Sequence, residues 1–151
     1  MTILEKPAAQ QPQELVAVVE KHGLAGDGKS LGRILGDAGF RLETNPVAAV
    51  VDAAHQAGGV CLIAHPGRRD GFVCYDVDLL DQLRQEVPID GLEVHYPAHS
   101  PEQVSMVREY ARKHRLLTSS GSDSYSPDKP PIKYPVELSR NLLERLGIQV
   151  K

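Results

Sequence analysis

Short apolar runs alternate along this chain with segments in which apolar residues recur at helical spacing. The runs at 60–64, 89–94 and 116–118 have the length and composition of buried strands, and polar residues follow each of them. Amphipathic segments follow the first two runs and begin at Asp76 and Ser100. Strands and helices that alternate in this way predict right-handed crossovers and a parallel sheet, which is an α/β fold.

Capping residues and first-turn prolines predict where the helices begin. Asn45 is a cap residue followed by a first-turn proline, Pro46, and these predict a helix over 45–57. Ser100 also precedes a proline, and Gln103 adds the glutamine of a capping box. Further helices are predicted from Pro12 to about residue 22, from Ser30 to Gly39 and from Leu138 to Leu146.

Composition narrows the class of protein. The 151 residues are 41% hydrophobic and 25% charged, which is typical of one globular domain; we expect a mobile lead-in at 1–12 and a single domain over 13–151. The net charge of −3, with scattered lysines and arginines, predicts no basic face for nucleic acid or anionic membrane. No run is long enough to span a membrane and no signal-peptide pattern opens the chain, so the expected location is the cytoplasm. The two cysteines are expected to be reduced thiols.

Polar residues of the types that catalyse reactions or bind ligands follow the three predicted strands. His65 comes directly after the first, His95 and His99 follow the second, and Asp123 lies just beyond the third. Because the carboxyl ends of parallel strands share one edge of a sheet, we expect these side chains to approach one another there.

Two interpretations of this edge stay open on pattern alone. An imidazole and a carboxylate are good ligands for a divalent ion, and Arg68 can hold a phosphate bidentately, so His65, Asp123 and Arg68 fit a metal and phosphate site. Alternatively, His65 bonds a backbone carbonyl, Asp123 stabilises a turn, and Arg68 is solvated.

Three motifs carry a resemblance to a known family. AHPGR at 64–68, GLEVHYPAHSPEQ at 91–103 and GSDS at 121–124 resemble, in order and spacing, the C-terminal half of the polymerase and histidinol phosphatase (PHP) superfamily. The middle motif is most similar to the branch of metal-dependent phosphoesterases that act on nucleoside phosphates and short RNA. The resemblance covers roughly residues 45–148.

The resemblance implies a fold, a chemistry and a set of residues. The family fold is a distorted seven-stranded β/α barrel whose strand ends hold divalent ions, usually manganese, iron, zinc or magnesium. These ions bridge a hydroxide that attacks phosphorus. By resemblance, His65 and Asp123 occupy metal-ligand positions, while Arg68 and His99 lie where phosphate or substrate contacts are expected.

The chain departs from the family pattern in three places. The family's His-x-His motif and its Thr-Asp-His-Asp-like motif do not occur in residues 1–58. Tyr125 stands where the last motif has a further histidine ligand, and tyrosine is a poor ligand for these ions near neutral pH. The usual Tyr-His order of the middle motif is reversed to His95-Tyr96, which on an extended segment turns the imidazole to the opposite face.

We therefore expect the parallel-sheet half of a distorted (β/α)7 barrel that lacks the N-terminal strands. The expected activity is metal-dependent hydrolysis of phosphate esters of a nucleotide or short oligonucleotide, with an incomplete set of metal ligands. The alternative is a non-catalytic remnant that serves as a binding or interaction module. A middle possibility is that a second copy of the chain, or another polypeptide, completes the barrel. Self-association is expected because a partial barrel exposes a sheet edge and a large apolar patch.

Overall fold

A computed structural model describes residues 11–23, 39, 45–68, 73–124 and 127–150 of the chain. The chain divides into two compact units, Met1–Thr44 and Asn45–Lys151. This division differs from the single domain predicted over 13–151, an assignment that stays a prediction.

The first unit contains one described helix, α1 (Gln11–Lys21), which begins one residue before the predicted start. Most of the predicted lead-in, residues 1–10, lies outside the described residues, and so does the predicted helix at 30–39 apart from Gly39.

The second unit is an α/β structure built on a parallel sheet. Its described elements, in chain order, are α2 (Val47–Gln56), β1 (Leu62–Ile63), α3 (Val77–Glu86), β2 (Gly91–His95), α4 (Pro101–His114), β3 (Leu117–Ser120), a 3₁₀ helix (Val136–Ser139) and α5 (Arg140–Arg145). The three strands pair in parallel in the order β1-β2-β3. The predicted α/β class and parallel sheet are therefore confirmed.

Local chemistry sets the start of two helices as predicted. The Asp76 carboxylate accepts a hydrogen bond from the Leu79 N–H at 2.9 Å, and Ser100 and Gln103 form a complete capping box at the start of α4. The prediction that Asn45 caps α2 is wrong. Pro46, with an extended ψ of 133°, occupies the cap position itself, and no side chain caps this helix.

The first strand is shorter and less buried than its apolar run predicts. Only Leu62 and Ile63 pair with β2, and both are half-buried. The reason is position: within the described sheet β1 is a terminal strand, whereas β2 has a neighbour on each side and fully buries Leu92 and Val94. An apolar sequence alone does not distinguish a central strand from an edge strand.

The core lies where β2 packs against the helices that follow β1 and β2. Leu80 of α3, Leu92 and Val94 of β2, and Val107 of α4 are each at most 1% exposed. Gly91 allows β2 and β3 to pair closely, because a Cβ at this position would clash with the backbone carbonyl of Leu117. Packing of this kind fixes the relative positions of the strand ends.

Asp90 ties the amino ends of all three strands together. Its carboxylate Oδ2 accepts hydrogen bonds from the Cys61 N–H at 2.6 Å and from Nε2 of His55 at 2.7 Å. Its N–H donates to the Cys61 carbonyl, and its own carbonyl accepts from the Leu117 N–H, both at 2.8 Å. Burial raises the pKa of Asp90, but the bonds from Cys61 and His55 outweigh burial and hold that pKa below its ordinary value of 3.8.

The outer edge of β3 is covered by the last helical segment. The Asn141 side chain accepts from the Thr118 N–H and donates to the Leu116 carbonyl, both at 3.1 Å, as a neighbouring strand would. The Thr118 hydroxyl also donates to the Leu138 carbonyl at 2.9 Å. At this strand the structure therefore closes an edge that a partial barrel is expected to expose. No helix in the described part of the chain has the length and apolar character needed to cross a membrane.

We predict that Asp90→Asn lowers the free energy of unfolding at neutral pH by about 1–3 kcal/mol, because a half-buried carboxylate loses its charge-assisted bonds. Since the folded pKa of Asp90 is depressed, its contribution is present above about pH 4 and is lost as the pH falls through that folded pKa. Denaturant unfolding of both proteins from pH 7 to pH 3 should therefore show the difference shrinking with acid.

The matched control is Asp52→Asn, which removes the same charge from an exposed position on α2. This variant should stay within about 0.5 kcal/mol of wild type. Equal losses in the two variants at pH 7 would contradict the role of Asp90.

Candidate active site

Residues from the carboxyl ends of all three strands meet around Tyr96. The Tyr96 ring lies 5.1 Å from the His65 ring, which follows β1, and its hydroxyl donates a 2.7 Å hydrogen bond to Oδ2 of Asp123, which follows β3. The structure thus brings the two predicted metal-ligand positions to one edge of the sheet. Their roles as metal ligands stay predictions.

Arg68 joins the same group of side chains. Its NH1 lies 3.7 Å from Oδ2 of Asp123, and the two side chains are 20% and 17% exposed. The carboxylate therefore faces both a guanidinium and the hydroxyl of Tyr96. Partial burial strengthens this ion pair relative to one in bulk water and fixes the direction of the guanidinium.

Two residues at this edge have left-handed backbone conformations. His65 has a φ of 33° and Asp123 a φ of 49°, values that are uncommon outside glycine. Such a conformation costs on the order of 1–3 kcal/mol and persists only where the surroundings impose it. Both residues at the predicted metal-ligand positions have it, which favours a functional constraint on this edge.

Glu93 is a member of the site that sequence reasoning missed. Its Oε2 accepts a 2.7 Å hydrogen bond from the His65 N–H, and its side chain also lies against Gly121, where a Cβ would clash with it. The available signal was a charged residue inside an apolar strand, in the run IDGLEV. Glu93 thereby links the segments that follow β1 and β3.

His95 and Tyr96, whose order is reversed relative to the family pattern, contact different neighbours. Tyr96 points into the site, whereas His95 lies 3.4 Å from NH2 of Arg108 and 6.1 Å, between ring centroids, from Tyr134. His95 and Arg108 line a separate cavity of about 190 Å³. Burial, followed by the charge of Arg108, lowers the pKa of His95.

His99 contacts backbone groups through both ring nitrogens. Nε2 accepts from the Gly67 N–H at 3.0 Å, so Nδ1 carries the proton and donates to the Val94 carbonyl, also at 3.0 Å. Its ring lies 5.2 Å from that of Tyr96. The predicted phosphate or substrate contact of His99 stays a prediction; the contact in the structure is with the turn before Arg68.

The described residues do not by themselves fit a divalent ion. Among them, no three side chains of His, Cys, Asp or Glu come close enough together to hold a metal. Asp123 is already engaged by Tyr96 and Arg68, and Tyr125 lies outside the described residues. A metal at this edge would need ligands from beyond the described residues.

Comparison with known proteins finds similar sequences among bacterial phosphoesterases. A 3′,5′-nucleoside bisphosphate phosphatase of Chromobacterium violaceum is 36% identical over 101 residues, covering 58% of this chain and 35% of that protein. The 5′-3′ exoribonuclease Rnm of Salmonella typhimurium is 31% identical over 103 residues. The alignment covers 68% of this chain and 33% of the exoribonuclease. No protein-family model matches the chain.

Two solved structures are also similar to this chain. A metal-dependent phosphoesterase from Bifidobacterium adolescentis superimposes with a TM-score of 0.56 at 28% identity, covering 70% of this chain and 38% of that one. An amidohydrolase from Chromobacterium violaceum, with bound sulfate and no metal, gives a TM-score of 0.54 at 26% identity, covering 70% and 39%.

The chain spans about a third of the length of the curated relatives that it matches. The relatives are a nucleoside bisphosphate phosphatase and an exoribonuclease, in agreement with the branch that the middle motif predicted. Through these sequences and structures, the chain is related to the PHP superfamily.

Proposed function

We propose that the unit Asn45–Lys151 supplies the carboxyl-edge part of a PHP-type phosphoesterase site that hydrolyses phosphate esters of a nucleotide or short RNA in the cytoplasm. One observation carries the proposal: His65, Arg68, Tyr96 and Asp123 gather where three parallel strands end. The names of the relatives, a bisphosphate phosphatase and an exoribonuclease, support the substrate class.

Arg68 is the phosphate contact in this proposal. A guanidinium presents paired N–H groups that match two phosphate oxygens, and Asp123 holds it at the edge of the sheet. The phosphate then competes with the Asp123 carboxylate for the same donors. Because the NH1–Oδ2 distance of 3.7 Å in that ion pair exceeds the usual hydrogen-bond length, a doubly charged phosphate is the stronger acceptor.

The remaining strands and metal ligands come, in our proposal, from residues beyond those described here. A second copy of the chain or another polypeptide that completes a distorted (β/α)7 barrel would provide them. Manganese, iron, zinc or magnesium then belongs to the completed site, with His65 and Asp123 as two of its ligands. A divalent ion in such a site acidifies water and neutralises phosphate charge.

A second candidate function is a module that binds nucleotide phosphates without hydrolysing them. The absence of three clustered metal-ligand side chains among the described residues favours it. Arg68 binds phosphate in both candidate functions, so a binding measurement tests the role that they share. Hydrolysis of the nucleotide distinguishes the phosphoesterase from the binding module.

We predict that Arg68→Ala weakens binding of adenosine 3′,5′-bisphosphate by about 10- to 100-fold, because a charge-assisted hydrogen bond contributes about 1.5–3 kcal/mol. Isothermal titration calorimetry measures this affinity. Arg112→Ala is the matched control, since Arg112 is 75% exposed and its ion pair with Glu109 lies at the surface. Similar affinities for Arg68→Ala and wild type would exclude Arg68 as the phosphate contact.

We predict that the chain purified alone holds divalent metal weakly and releases little phosphate, since a catalytic ion needs about three protein ligands. Elemental analysis after growth with manganese, iron and zinc, together with a phosphate-release assay, measures both properties. Stoichiometric metal, with turnover that His65→Ala or Asp123→Ala abolishes, would instead make this chain a complete enzyme. Tyr125→His should strengthen metal binding only if the other ligands are supplied.

A further inference from the structure

Every backbone polar group from the His65 N–H to the Arg68 N–H has a hydrogen-bond partner. The Arg68 N–H donates to the His65 carbonyl at 3.0 Å, closing a four-residue turn over 65–68. The His65 N–H donates to Glu93, and the Pro66 carbonyl accepts from the Tyr75 N–H at 2.8 Å. Proline has no N–H, so only the two groups of the next residue remain to be accounted for.

Those two groups belong to Gly67, and both bind side chains from the segment that starts α4. The Gly67 N–H donates to Nε2 of His99 at 3.0 Å, and its carbonyl accepts from Nε2 of Gln103 at 2.5 Å. The peptide units on both sides of Gly67 are therefore held by one rigid element. A backbone held at both groups cannot rotate without losing a hydrogen bond.

We propose that His99 and Gln103 are positioning residues that hold the 65–68 turn so that the Arg68 guanidinium faces the phosphate site. The proposal rests on the phosphate role of Arg68 given above. It assigns His99 to the backbone of the turn and gives Gln103 a role separate from capping.

The oxygen and the nitrogen of the Gln103 side-chain amide bind different groups. Its Oε1 accepts from the Ser100 N–H at 2.8 Å, which completes the capping box. Glutamate serves equally well in that position of a capping box, because only an acceptor is needed. The bond to Gly67 needs a donor, and among these two residue types only glutamine has one at neutral pH. The amide at this position is therefore explained by the turn and not by the helix cap.

Gly67 has no room for a side chain between the two positioning residues. A Cβ there would lie 3.0 Å from Cδ2 of His99 and 3.0 Å from Cδ of Gln103. The turn, the imidazole and the amide are packed as a unit, with the imidazole fixed in one tautomer by its bonds to Gly67 and Val94. Positioning matters here because a displacement of about 1 Å can reduce the rate of an enzyme by about a hundredfold.

Gln103→Glu is the decisive variant, since it keeps the capping acceptor and removes the donor to Gly67. We expect faster hydrogen exchange at the Gly67 and Arg68 amides, measured by NMR, and at least about tenfold weaker binding of adenosine 3′,5′-bisphosphate. Ser100→Ala is the matched control: it removes the hydroxyl cap of α4 at 3.3 Å and leaves the amide of Gln103 in place. It should lower the melting temperature while leaving nucleotide affinity and Gly67 exchange unchanged.

A second pair of variants tests His99 without relying on Gln103→Glu to fold. His99→Ala should expose the Gly67 amide to exchange, and His99→Gln, which restores an acceptor, should recover part of the protection and part of the nucleotide affinity. Unchanged Gly67 exchange and unchanged affinity in Gln103→Glu and His99→Ala would overturn the positioning role.

Hydrogen exchange at Gly67 and nucleotide affinity together distinguish failure of this inference from failure of the proposed function. If the wild-type chain binds no adenosine 3′,5′-bisphosphate, the phosphate role of Arg68 fails, and with it the functional purpose of the turn. Gly67 exchange in the same variants would then still show whether the two side chains hold the backbone. If the nucleotide binds and Gly67 exchange rises with no loss of affinity, the hydrogen bonds exist but do not position Arg68, and the proposal is overturned.

Discussion

The parallel pairing of β2 with strands on both sides is the constraint on which the rest of this structure depends. It places three strand ends at one edge, and the chemistry-bearing side chains follow from there. Asp90 holds the opposite edge, where its carboxylate and backbone join β1, β2 and β3. Because the sheet is anchored at one end and packed on Leu92 and Val94, the geometry at the other end is set by register and not by loop flexibility.

The candidate site combines a fixed backbone with charged side chains. The backbone polar groups from the His65 N–H to the Arg68 N–H all have partners, and Glu93 joins this turn to the segment after β3. On this framework, Arg68, Tyr96 and Asp123 form a small polar network in which one carboxylate oxygen faces two donors. Such networks are strong where water is partly excluded, since a low local dielectric strengthens each member. The same network engages Asp123, and among the described residues no three side chains of His, Cys, Asp or Glu come close enough together to hold a metal.

At two positions the chain has a tyrosine where the family pattern has a histidine. Tyr96 stands in the site where the usual motif order would direct an imidazole, and Tyr125 replaces a histidine in the last motif. A phenol donates a hydrogen bond to a carboxylate but is a poor ligand for a divalent ion near neutral pH. With Tyr96 donating to Asp123, this edge holds its carboxylate through protein contacts.

The sequence by itself determined the parallel α/β class, the caps at Asp76 and Ser100, the relation to the PHP superfamily, and the placement of His65 and Asp123 at strand ends. These follow from periodicity and from short motifs, which act over a few residues. Tertiary structure alone decided that Asp90 binds His55, that Glu93 binds the backbone of His65, that both nitrogens of His99 are engaged, and that Asn141 covers the edge of β3. Most of these contacts join residues more than twenty positions apart, and their partners are polar groups that any of several side chains can satisfy. Local pattern therefore identifies which residues reach the edge, and only packing decides which groups each of them binds.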